Sequence, residues 1–293
     1  MLKLLLRSLK APLASSRWRK FISETYRSVG AAPPKANVFV KPIRSYLFCD
    51  ISPRARTKYL MTHYALIRNF LSDIKLLRLL EGSIFGLKEI SGRNGARFVL
   101  ELQSSLNTLT DREGELVISL REVHQEYLLC WLTFLFVRDS RGVSLLIGGL
   151  QGAKGRKHEV VAATRALCGL RPKDAVLLAT RALAQAAGAE TRAIATNAQI
   201  FRERQGVSKF ADHDEYWRER GAVRLNPQEF VFGPLAQIQA PATLREKTKQ
   251  AIISDVSAFA YANLYCTPRN LKTPACKSQP LSRPDRLKTV DGF

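Results

Sequence analysis

The amino-acid sequence predicts a mixed α/β chain of the α+β kind, with an antiparallel meander followed by helices and a parallel strand. Two observations carry that expectation. Apolar residues recur every three or four positions from Thr57 to Leu80, and beyond the glycines Gly82, Gly86, Gly92 and Gly95 they recur every second position. These are the spacings that place side chains on one face of a helix and then on one face of a strand. Residues 143–175, VSLLIGGLQGAKGRKHEVVAATRALCGLRPKDA, then run from an apolar strand into glycines, a basic loop and helical sequence. A strand that opens onto a helix N-terminus leaves backbone N–H groups unpaired beside a favourable dipole, an arrangement that suits an anion.

In chain order, MLKLLLRSLKAPLASSRWRKFISETYRSVG sets Leu2, Leu5, Leu6 and Leu9 on one helical face and Lys3, Arg7 and Lys10 on the other. Such an element lies on an anionic membrane surface, serves as a targeting peptide, or packs on its own protein. Pro33, Pro34, Pro42 and Pro53 break residues 31–56 into extended or turning chain. Leu60, Tyr64, Ile67, Leu71, Ile74 and Leu77 mark a helical face, with a break near Ser72-Asp73. Four strands follow, ARFVLELQSS, GELVISLREV, EYLLCWLTFLFVR and GVSLLIGGLQ, turning at Asp111–Gly114 and Asp139–Gly142. Helices are expected over 159–168 and 173–187, the second opened by Pro172. TRAIATN, 191–197, should return parallel to 143–148. A helical piece near 211–220, strands near 222–225 and 229–233, and a helix over 242–259 complete the order. The organisation expected is a basic extension over 1–56, a core over 57–240, a C-terminal helix over 241–265 and a disordered basic tail over 266–293.

The chain has 293 residues, 46% of them hydrophobic, and a formal net charge of +21. That is enough apolar material for a substantial core. The charge sits mainly at the ends: residues 1–60 hold thirteen Lys and Arg against Glu24 and Asp50. Residues 268–293 hold six against Asp285 and Asp291. The basic ends lack regular aromatic interleaving, so nucleic acid is expected to bind only non-specifically and to weaken with salt. Five cysteines, with no C-x-x-C pair and no short His/Cys spacing, signal neither a disulfide framework nor a zinc site. No metal site is expected. The most apolar run, 127–137, is far short of the roughly 18 to 20 residues of a membrane span.

Meander, helix, parallel strand, helix and two further strands, in that order, resemble a GNAT-type acyltransferase. That resemblance implies an acyl-CoA donor whose pyrophosphate sits in the loop after the fourth strand, here Gln151–His158. Gln151, Gly152, Lys154, Gly155 and Arg156 are the donor-binding candidates. The loop departs from the family's Q/R-x-x-G-x-G/A pattern, because Lys154 stands three places after Gln151 and Gly155 comes one place late.

The segments HYALIRNFL (63–71), EGELVISL (113–120), LLIGGLQG (145–152), ATRALCGLRPKDAVLLATRALA (163–184) and DEYWRERGA (214–222) closely resemble the VirK/YbjX family of bacterial proteins. The resemblance spans about residues 55–240. It implies a bacterial protein of unassigned activity, some of whose relatives are linked to virulence and to tolerance of cationic antimicrobial peptides at the envelope. Cys168 and Gln199 stand where relatives commonly carry His, and the basic stretch after Thr196-Asn197 is shortened to Phe201–Lys209.

Each remaining candidate has two readings. His158, at a helix start beside Glu159, is a general base or phosphate donor, or a neighbour of the cap. Arg171, before the N1 proline, presents its guanidinium to a phosphate or carboxylate, or pairs with Asp174. Trp217 with Tyr216 walls a substrate site or belongs to the core. Asn197 joins them as a substrate-binding candidate through the family-like turn. Cys168 reads as packing, because a helix C-terminus disfavours its thiolate.

Three functions fit. The first is acyl transfer from a CoA-type donor in the bacterial cytoplasm, peripheral to the inner membrane. The second is non-enzymatic binding at an anionic membrane surface through the N-terminal segment, and the third an RNA-associated regulator using the basic ends.

Overall fold

The structure, a computed structural model, describes residues 11–108, 110–200, 212–236 and 240–264. The amphipathic face read at Leu2–Leu9, the basic stretch Phe201–Lys209 and the tail over 266–293 lie outside those residues.

Helix α1 (Pro12–Ser28) is followed by the short α2 (Ala36–Phe39), a 3-10 turn at Lys41–Ile43, α3 (Pro53–Phe70) and α4 (Asp73–Leu80). Pro53 is not the chain breaker that the sequence suggests. It occupies the first turn of α3, where its missing N–H costs nothing, and the Ser52 hydroxyl caps the helix by accepting from the Ala55 amide at 3.2 Å. Residues 31–56 likewise contain helical turns as well as extended chain. The break at Ser72 resets the helical phase, so Leu76 and Leu79 are buried while Ile74 stands exposed. α1 buries Trp18, Ile22 and Tyr26, and packs on α3. Trp18 also donates its indole N–H to the Val38 carbonyl at 2.8 Å. For residues 12–28, packing on the body of the protein is therefore the outcome.

The strands are β1 (Phe85–Ser91), β2 (Arg97–Ser104), β3 (Leu116–Glu122), β4 (Leu128–Asp139), β5 (Gly142–Gly152), β6 (Glu190–Ile194), β7 (Ala222–Asn226) and β8 (Glu229–Phe232). They form one sheet in the order β1-β2-β3-β4-β5-β6-β8-β7, antiparallel except for the β5–β6 pair. The meander has five strands where the sequence pattern predicts four. β1 escaped because a bulge between Gly86 and Lys88 breaks its alternation. Between β5 and β6 lie α5 (Lys157–Ala166) and α6 (Pro172–Ala186), and α7 (His213–Glu219) precedes β7. α6 runs across β3, β4, β5 and β6, and the last helix, α8 (Leu244–Leu264), packs on α6 and β1. The expected parallel return is present, with Ser144–Ile147 paired to Glu190–Ala193.

That pairing ends at Ile147, while β5 continues beside β4 as far as Gly152. The strands part there. His213 bridges the opening, with Nε2 3.0 Å from the Leu150 carbonyl and Nδ1 2.9 Å from Gln199 Oε1. Burial holds this imidazole below its ordinary pKa, helped by the charge of Lys173.

Candidate functional site

The glycine-rich end of β5 and the EGE segment before β3 are built for each other. A Cβ on Gly148 would fall on the Glu113 carbonyl, and one on Gly149 would meet the Glu113 carboxyl group. Only glycines let residue 113 lie this close to the strand. Gln151 turns the same way and donates to Glu113 Oε1 at 2.5 Å, while Glu113 Oε2 is buried without a partner among the described residues. Burial pushes the Glu113 carboxyl up to about 8, against the opposing hydrogen bond of Gln151. At neutral pH it is mainly a protonated acid.

Two residues further on, Glu115 is equally buried but fully engaged. Its Oε1 accepts from Lys41 Nζ at 2.6 Å and from the Tyr46 hydroxyl at 2.7 Å, and its Oε2 accepts from the Tyr64 hydroxyl at 2.9 Å. Burial and then the carboxylate drive both phenols well above their usual range. His63 lies beside Tyr64, with Nδ1 accepting from the Phe136 amide at 3.0 Å. Burial, with the charge of Lys41 adding to it, lowers the His63 pKa to about 3. This cluster is sealed from solvent, so it organises the sheet rather than meeting a ligand.

An open cavity of about 580 Å³ lies beyond the end of β5, between α5 and the start of α6. Its walls are mostly apolar, from Leu129, Cys130, Val160 and Val161, with Gly152 at the strand end and Lys173 and Arg171 at the helix N-terminus. A Cβ at residue 152 would make an ordinary contact with the Lys173 stem at 3.6 Å, so the strand end and this lysine face each other across the mouth. Lys173 is half-buried, and burial holds its ammonium below the ordinary value. The Cys130 thiol is fully buried and pushed up, which makes it a wall and not a nucleophile. Tyr216 closes one side, donating its hydroxyl to Asp174 at 2.9 Å, and Asp174 also pairs with Arg220 at 2.8 Å.

Of the residues singled out in the sequence, Gly152 and Arg171 meet in this cavity. Gln151 points instead to Glu113. Arg156 pairs with Glu159 at 2.9 Å and lies over the Tyr127 ring, whereas Lys154 and His158 are exposed. Gly155 supplies a left-handed turn at φ 77° before α5. Asn197 is exposed in a 3-10 turn, its carbonyl 3.8 Å from the Cys49 sulfur. Trp217 has no exposed surface and donates to the Ile194 carbonyl at 3.4 Å, so it is core and not a substrate wall. Arg171 makes no ion pair with Asp174, which Arg220 and Tyr216 have taken.

Lys173 and His213 were missed. A signal for Lys173 was present: a lysine in the first turn of a helix opposes the dipole, an arrangement that an anion would relieve. His213 had none, because its partners are a strand carbonyl and a distant glutamine. Among the described residues, no group of three or more His, Cys, Asp or Glu gathers to hold a metal, and no helix is long and apolar enough to cross a membrane.

Fold and site together define a mixed α/β protein with an apolar cleft at the open end of its central strand. The family model described as "Protein of unknown function (DUF535)" matches residues 1–250. "Uncharacterized protein YbjX" of Escherichia coli (strain K12) is 30% identical over 228 residues, covering 75% of this chain and 68% of that protein. The chain belongs to this YbjX/DUF535 family. No solved structure matches it.

Proposed function

We propose that the chain binds an acyl-CoA-type donor in the cleft at the end of β5 and transfers its acyl group to an acceptor. The observation that carries the reading is the apolar cavity itself, of about 580 Å³ and lying where a strand gives way to a basic loop and helix. Its size falls within the range of small-molecule sites. The order of elements around it is the one that resembles GNAT-type acyltransferases. In this reading the acyl chain lies against Leu129, Val160 and Val161, and the donor phosphates face Lys154 and the start of α5. Arg156 and Gln151, held by Glu159 and Glu113, shape the loop. The acceptor's nucleophile attacks the thioester carbonyl, its proton passes to solvent or a base, and the CoA thiolate leaves. Lys173 is the group we assign to the developing negative charge, because it is half-buried on the cavity wall. The family resemblance points to an acceptor at the bacterial envelope. That setting is shared by the alternative of a membrane-surface binding protein, which rests on residues 1–10.

The test is the melting temperature with saturating acetyl-CoA, longer acyl-CoAs and free CoA, on the native chain and on Gly152→Val. A ligand at 100 times its dissociation constant adds about 2.7 kcal/mol to the native state. The reading expects a rise that grows with acyl length and disappears in the variant. No rise with any of these ligands would count against it and favour the binding protein.

A further inference from the structure

On the other side of Arg171 from the apolar cleft lies a second cavity, of about 740 Å³, between α6, the end of α7 and the start of α8. Five basic side chains line it: Arg171, Arg181, Arg220, Arg245 and Lys249. Two carboxylates, Asp174 and Glu219, share the wall, and both are committed to Arg220. Arg171 and Arg245 form no ion pair with any described residue.

The wall is also pre-set. Arg181 is held by the Gly233 carbonyl at 2.9 Å and stacks on the Phe232 ring at 5.1 Å. Arg220 lies over the Tyr216 ring at 4.1 Å while its Nε is bound to Asp174. Arg245 sits in the first turn of α8, whose start is fixed by reciprocal bonds between Thr243 and Glu246. Unneutralised guanidinium groups converging on one concavity match the oxygens of a phosphate, to which their planar forks bind in pairs. A single carboxylate would leave most of the positive charge unmet. The volume exceeds that of an inorganic ion and suits a phosphorylated small molecule or headgroup.

We propose that the basic cavity between α6, α7 and α8 is a binding site for a phosphate-bearing ligand, with Arg171 and Arg245 as its principal contacts. The site does not depend on acyl transfer, and a chain that ignored every acyl-CoA would still carry it.

Titration calorimetry on the full chain, with sodium pyrophosphate and separately with monomeric dioctanoyl phosphatidic acid, tests it. Arg171→Gln and Arg245→Gln should each weaken pyrophosphate at least ten-fold. Lys247→Gln, which removes the same charge from an exposed position on α8 outside the cavity, should change it less than two-fold. Unchanged melting temperatures would show that the variants fold. Equal losses from Arg245→Gln and Lys247→Gln would reduce the effect to net charge and overturn the proposal, as would no heat from either ligand. Phosphatidic acid binding more than ten-fold tighter than pyrophosphate, with the same arginine dependence, assigns the phosphate to a lipid headgroup. Equal affinities assign it to a soluble ligand.

Discussion

Two of the charge clusters among the described residues, one around Glu115 and one around Arg171, separate architecture from recognition. Around Glu115 the charges are buried and paired, with Lys41, Tyr46 and Tyr64 all closing on one carboxylate. Around Arg171 they are open, and the carboxylates nearby are already consumed by Arg220. A carboxylate sealed and satisfied in this way has no capacity left for a ligand. An open cluster with surplus charge of one sign is incomplete without one.

Breaking the sealed cluster should have the largest effect. Lys41→Met keeps the volume but leaves Glu115 as a buried carboxylate with only two phenol donors, and should cost about 3–5 kcal/mol. Adding Glu115→Gln should recover most of that loss. Denaturant midpoints measure both, and a single variant losing less than about 1 kcal/mol would show that the cluster contributes little to the fold.

Next comes the contact between the two glycine-bearing segments. Gly148→Ala forces a methyl group onto the Glu113 backbone, which cannot swing aside as a side chain can. Overpacking of this kind costs about 1–3 kcal/mol or more. Gly155→Ala, at an exposed turn with nothing near its Cβ, should cost less because only its positive φ is strained. If the two variants melt together, the close approach at 148 is not what makes the motif necessary.

Glu113 gives a pH dependence with a definite sign. Its folded pKa of about 8 stands above the ordinary 4.5 of a glutamate, so the folded state holds a proton that the unfolded state releases. The stability this contributes is fully present below 4.5 and is lost as pH rises towards 8, at up to about 1.4 kcal/mol per pH unit. His63 acts in the opposite direction. Its folded pKa of about 3 lies below 6.5, so its contribution is present above 6.5 and is lost as pH falls towards 3. The two slopes oppose each other between 4.5 and 6.5, and of this pair only Glu113 titrates above that range. Glu113→Gln should flatten the fall between pH 6.5 and 8, as followed by urea midpoints, and an unchanged fall would show that another group carries it.

The sealed region was the more legible of the two as fold and the less legible as chemistry. Periodicity and apolar runs located β2 to β5 and α5 to α6, because each carries a long apolar run or stripe against a single core. It lost β1 to a bulge and the phase of α4 to the break at Ser72, both local events that shift a period without changing composition. The motif EGELVISL and the motif LLIGGLQG could each be seen, but not that Glu113 and Glu115 look to different partners. That depends on contacts between segments far apart in the chain. In the open region, Arg171 and Gly152 were visible from the Gly-Leu-Arg-Pro and Gly-Gly-Leu-Gln-Gly patterns. Arg245 was not, because nothing local distinguishes it from any other basic residue on α8.

The smallest expected change in stability tests the open region most directly. Lys173 sits in the first turn of α6, where a positive charge opposes the helix dipole, and its ammonium is partly withdrawn from water. Both effects disfavour the folded state. Lys173→Met should therefore leave the protein unchanged or raise its stability by about 0.3–1 kcal/mol. If the cleft takes an anionic acyl donor, the same substitution should weaken that donor at least ten-fold, so melting temperature and ligand response would move in opposite directions. A stabilised variant with undiminished donor response would place the negative group elsewhere in the cleft. A clearly destabilised one would move Lys173 to the architectural side of the comparison, because a lysine that holds the fold together is not waiting for a ligand.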